Sequence, residues 1–128
     1  MTGEETRISM RPHKKLEVWI RSVDLVTKLY EATKGFPPDE RFGLTSQIRR
    51  AAVSIPANIS EGAARQTSKE FLQVLSIAQG SSSELETELL IAVNLGYLRR
   101  SEFDDLIADI ESISRMLIGL SKYLRSKG

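Results

Sequence analysis

A proline stands inside the stretch that otherwise spells the clearest helix in this chain, Ile48-Arg-Arg-Ala-Ala-Val-Ser-Ile-Pro-Ala-Asn-Ile-Ser-Glu-Gly62. Leu44, Ile48, Ala51, Ala52, Ile55 and Ile59 recur at helical spacing and mark one apolar stripe. An interior proline removes a backbone donor and crowds the carbonyl four residues back, at a cost of about 3 kcal/mol. A helix that retains Pro56 either bends for a purpose or is held by packing that offsets the loss. A bend would wrap the helix around its neighbours. Alternatively it would free the Ala52 carbonyl for a side chain such as Asn58.

The rest of the chain has the same period. A first helix is predicted over about Lys14 to Lys34, with its stripe at Leu16, Trp19, Ile20, Val23, Val26 and Tyr30. Gly35-Phe36-Pro37-Pro38 ends it, with glycine as a left-handed cap. The proline helix covers about Thr45 to Ala64, with an extra turn near Pro38 to Phe42. A third helix opens on Thr67, with Glu70 completing a capping box, and runs to about Asn94, with Gly96 as its stop. Its stripe is Phe71, Val74, Leu75, Ala78, Leu85, Leu89 and Ala92. A fourth opens at Ser101, with Asp104 at the third position, and carries Phe103, Leu106, Ile107, Ile110, Ile113, Leu117, Leu120 and Leu124. Short connections between amphipathic helices imply an all-α, antiparallel up-down-up-down four-helix bundle over residues 14–128. Residues 1–13 read as a flexible arm.

Some apolar residues fall off these stripes: Val18, Leu25, Leu29, Val53, Ala57, Leu90 and Ile91. A helix apolar on more than one face is usually buried on more than one, which points to self-association. The small residues Gly80-Ser-Ser-Ser83 would let another helix approach closely.

Catalytic ingredients are scarce. With no cysteine there is no disulfide, thiolate metal site or cysteine nucleophile. His13, the one histidine, lies near the N-terminus and makes a poor general base. The glycines form no phosphate loop, and the serines lack a partner base. Glu84 and Glu88, four apart, with Glu86 on the other flank, are expected to face water or an arginine rather than a metal. The reading is a non-enzyme without cofactor. The longest apolar run of the third helix, Leu89 to Val93, is too short to span a membrane, and the polar N-terminus does not suggest a secretory signal, so a cytoplasmic location is expected.

Net charge is only +1, yet it is unevenly spread. Arg41 to Lys69 holds five basic residues against one acid, whereas Glu84 to Glu111 holds eight acids against two bases. Arg49, Arg50, Arg65 and Lys69 are the candidates for phosphate contact with RNA or DNA. The other reading pairs Arg49 or Arg50 with Glu84, Glu86 or Glu88, or with Glu61 across a subunit boundary. No aromatic platform for stacking bases is visible around these arginines.

Arg49 to Gly62 matches the pattern Arg-Arg-Ala-x-Ser-Ile-Pro-x-Asn-Ile-x-Glu-Gly, with Val53 as one extra residue. With Leu16-Glu-Val-Trp19 and Ser83-Glu-Leu-Glu-Thr-Glu-Leu89, it resembles the family of 23S ribosomal RNA intervening-sequence proteins from about Leu16 to Leu124. The resemblance implies small bacterial cytosolic bundles that assemble as homopentamers, many of unknown role. It also implies kinship with the accessory variability protein of diversity-generating retroelements. That relative binds nucleic acid and a protein partner through a strongly basic surface, whereas this chain is near neutral. The resemblance brings no catalytic residues. It marks Pro56, Asn58, Glu61 and Gly62 as the motif's structural tail, and leaves a protein-binding scaffold as the alternative function.

Overall fold

The computed structural model describes residues 16–127. Its regular elements are α1 (Glu17–Thr33), a single 3-10 turn (Pro38–Glu40), α2 (Leu44–Ala63), α3 (Ser68–Asn94) and α4 (Arg100–Lys127). The predicted arm and His13 lie outside the described residues. All regular elements among the described residues are helices, and residues of all four close one apolar core. No helix of the described residues is long and apolar enough to cross a membrane.

The stripes of α2, α3 and α4 pack as their periodicity predicts. Ile48, Ala52, Ile55, Ile59, Leu75, Leu85, Leu89, Ile110, Ile113 and Leu117 are all buried. Gly62 meets Phe71 and Val74, and Ser54 meets Ser81, across the α2–α3 junction. Lys28 bonds Asp109 and Arg21 bonds Ser112 between α1 and α4.

The face expected for α1 is wrong in part: Leu16, Trp19 and Val26 pack against the core, but only as partly buried residues. Its buried residues are Val18, Ser22, Leu25, Leu29 and Thr33, while Ile20, Val23 and Tyr30 are exposed. Burial of Val18, Leu25 and Leu29 outweighs the exposed polar contacts in setting this face. Those contacts flank it: Lys28 and Arg21 reach Asp109 and Ser112 on α4, and Thr33 reaches Arg49 on α2. The two buried hydroxyls bond carbonyls of their own helix, Ser22 to Trp19 and Thr33 to Leu29, so their burial leaves no donor stranded.

The helix ends differ in two places. Gly35 does not adopt the left-handed conformation; among the described residues only Gly96 does, with φ 81°, stopping α3 as expected. Ser101 lies inside α4, not before it. The Glu102 carboxylate accepts the Arg99 amide hydrogen at 3.1 Å, which holds its pKa below the ordinary value and fixes the start two residues earlier. The Thr67 cap of α3 forms as predicted, accepting from the Glu70 amide at 3.1 Å.

Candidate nucleic-acid interface

The Arg49–Arg50 pair separates on folding. Arg49 turns toward α1: its Nε donates to Thr33 Oγ1 at 3.0 Å and its Nη2 to the Tyr30 carbonyl at 3.3 Å. Its guanidinium stacks 4.4 Å from the centre of the Tyr30 ring. A cation over the last carbonyls of a helix opposes the negative end of its dipole, so Arg49 clamps α1 to α2. Arg50, one residue on, is exposed and makes no hydrogen bond or ion pair among the described residues.

Around them opens a concavity of about 490 Å3, lined by Tyr30, Arg41, Phe42, Arg49, Arg50 and Val53 with the hydroxyls of Thr45 and Ser46. No carboxylate lines it. Phe42 is 88% exposed, with the Arg41 guanidinium 5.3 Å from its ring centre, and Tyr30 is 41% exposed. Residues distant in sequence thus bring two aromatic rings to the lining beside the arginines, because the end of α1 meets the start of α2.

The turn that presents Phe42 is tied down. Glu40 Oε1 accepts the Leu44 amide hydrogen at 3.0 Å, and Glu40 Oε2 accepts the Tyr97 hydroxyl at 2.9 Å. That bond holds the Tyr97 phenol above its ordinary pKa. The Tyr97 ring in turn leans on the buried Phe36 at 5.3 Å between centres.

Arg65 and Lys69 lie past the other end of α2, Arg65 in the connection and Lys69 in the first turn of α3. Fifteen residues separate Arg50 from Arg65, about 20 Å along a helix. Arg65 is held by Glu61 in an exposed ion pair one turn back, and Lys69 is exposed with no ion pair among the described residues. The four predicted basic residues therefore form two groups, not one patch.

The motif's tail is structural. Asn58 Nδ2 donates to the Ser54 carbonyl at 2.7 Å and to Ser54 Oγ at 2.9 Å, rather than to the Ala52 carbonyl. Ser54 Oγ continues to Ser81 Oγ at 2.8 Å, tying α2 to α3. Ser81 and Ser82 are thus buried within the chain rather than kept for a partner. A Cβ at Gly62 would sit 2.5 Å from both Phe71 Cδ1 and Val74 Cγ2, so only glycine permits this approach.

The helix-3 carboxylates also depart from expectation. Neither Arg49 nor Arg50 pairs with Glu84, Glu86 or Glu88 within the chain. Glu88 turns inward, only 6% exposed, with Oε1 unpartnered. Burial, helped by a hydrogen bond and charge repulsion from Glu84, raises its pKa to about 7. No group of three or more His, Cys, Asp or Glu among the described residues is placed to hold a metal.

Similarity to known proteins covers most of the chain. No curated protein matches it. A crystal structure of a protein of unknown function from the S23 ribosomal protein family of Bacteroides thetaiotaomicron superposes with a TM-score of 0.76 at 26% identity. The match covers 82% of this chain and 98% of that one. Residues 14–119, including the whole Arg49–Gly62 motif, match the family described as 23S rRNA-intervening sequence protein. The helices, the motif and its tight α2–α3 junction thus place the chain in the 23S rRNA-intervening sequence protein family.

Proposed function

We propose that this chain is a non-catalytic, homo-oligomeric accessory protein that binds RNA or DNA in the cytoplasm. Its subunit is read as an antiparallel up-down-up-down bundle, and the family resemblance suggests five copies. The observation that carries the reading is Arg50: an exposed, unpaired guanidinium in a concavity shared with Arg41 and Arg49 and free of lining carboxylates. Phosphate contact dominates nucleic-acid affinity, so a near-neutral chain needs its basic groups concentrated. A ring would repeat the cluster around its axis. Lys69 supplies a second exposed cation. Arg65 contributes less, being engaged by Glu61.

A second reading, a protein-binding scaffold without nucleic-acid affinity, rests on the exposed apolar side chains Ile20, Val23, Val53, Leu90 and Ile91. Self-association would cover such residues in either case. To separate the readings, a labelled structured RNA is titrated with the protein at low and near-physiological salt and followed by anisotropy. Arg50→Glu/Lys69→Glu is the variant of choice, because Arg49 is needed by the fold. Saturable binding that weakens with salt and is lost in a folded, assembled variant supports the first reading. No binding at low salt, or binding indifferent to the substitutions, puts the scaffold ahead.

A further inference from the structure

We infer that the Arg41–Phe42–Arg50 concavity accommodates an unpaired nucleotide of a single strand, its base stacked on Phe42 and its phosphates held by Arg41 and Arg50. The inference rests on the nucleic-acid reading above and narrows it to a class of ligand and a mode of recognition.

The argument begins with Phe42. A phenylalanine that is 88% exposed gains almost nothing from burial in its own subunit. Nor is it on a slack loop. The turn behind it is closed by Arg41 to Pro38 and Gly43 to Glu40 backbone hydrogen bonds, and Glu40 is engaged by Leu44 and Tyr97. The backbone that carries the ring is therefore held in place, which lowers the ordering cost of binding.

Charge narrows the occupant further. Three guanidinium groups line the space without a carboxylate, which favours an anion. Arg49 spends its hydrogen bonds on Thr33 and the Tyr30 carbonyl, so the phosphate donors are Arg41, whose guanidinium lies against one face of Phe42 and leaves the other for a base, and Arg50. Anion and planar ring together match a nucleotide whose base is available. In a duplex the base faces are hidden in the stack, so an exposed ring finds none to cover. Stacking on an aromatic ring accepts any base, so the site is expected to prefer single strands without strong sequence preference.

The test uses the full chain and labelled oligonucleotides of equal length, one unstructured single strand and one blunt duplex. Poly-glutamate serves as an anion without bases. Phe42→Ala, Phe42→Trp and Arg50→Gln are compared, with sedimentation reporting assembly. Phe42 is so exposed that its truncation is not expected to disturb folding. Single strand is expected to bind about tenfold tighter than duplex. Phe42→Ala should weaken it about 5-fold to 100-fold, and Phe42→Trp should restore it. Arg50→Gln should reduce the salt slope by about 0.7.

Equal or tighter binding of duplex overturns the inference, as does unchanged affinity in Phe42→Ala. Displacement by poly-glutamate as effective as by single strand identifies an acidic-peptide site instead. A fall in assembled mass in Phe42→Ala makes the ring a subunit contact and overturns it too. Structured RNA bound normally by Phe42→Ala removes this inference alone. No binding to any nucleic acid removes it together with the broader reading.

Discussion

The two ends of α2 carry the two halves of one sequence motif and use them in opposite ways. At its start, Arg50 and Phe42 face solvent and the surface is concave and cationic. Toward its end, Ser54, Asn58 and Gly62 are absorbed into the junction with α3. A contiguous motif is thus not a contiguous site. Where its side chains have partners within the chain, they serve the fold. Where they lack them, they remain available to a ligand.

The closed end should yield the largest effect. Gly62→Ala places a methyl group against Phe71 and Val74, and we expect a loss of about 3 kcal/mol in urea unfolding. An unchanged midpoint would show that the junction is looser than described and would erase the contrast.

Glu88 gives the next effect. In the unfolded chain it ionises near 4.5, whereas the fold holds it protonated to about 7. Between those values the native state carries more protons than the unfolded state. Stability therefore falls as pH rises through this window, by up to about 1.4 kcal/mol per unit. Glu88→Gln should flatten the fall and raise the melting temperature at pH 8 more than at pH 5. Parallel pH profiles for the two proteins would count against it.

The smallest effect is the sharpest discriminator. Arg49→Met removes two hydrogen bonds and the Tyr30 stack, and should cost about 1–2 kcal/mol in denaturant unfolding. Arg50→Gln should stay within about 0.5 kcal/mol of the parent, since none of the described residues makes a hydrogen bond or ion pair with it. Equal costs would mean that Arg50 is also a structural residue.

Much of this architecture was legible in the sequence. Periodicity found α2, α3 and α4, their core stripes and the Thr67 cap. It placed only half of the α1 face, because apolar residues cover so much of that helix that period alone does not choose a side. Packing centres the face on Val18, Leu25 and Leu29 and leaves Ile20, Val23 and Tyr30 outside. The candidate site was half legible. Charge spacing singled out Arg49 and Arg50, but not that one would be occupied and the other free. Tyr30 falls on a periodic stripe yet stays out of the core, so period alone does not reveal its ring beside the arginines. Arg41 and Phe42 were adjacent all along, yet the 88% exposure that distinguishes Phe42 comes from the fold.

Tyr97 has a reach beyond its own turn. Through Glu40 it joins the α3–α4 connection to the α1–α2 connection at the same pole of the molecule. Amide protons around Phe42 should therefore exchange with solvent at a rate governed by a hydroxyl more than fifty positions away. Remove that hydroxyl and the loop's disorder, now suppressed once on folding, would have to be suppressed at every encounter. Affinity at the concavity is then adjustable from a residue that lines no part of it.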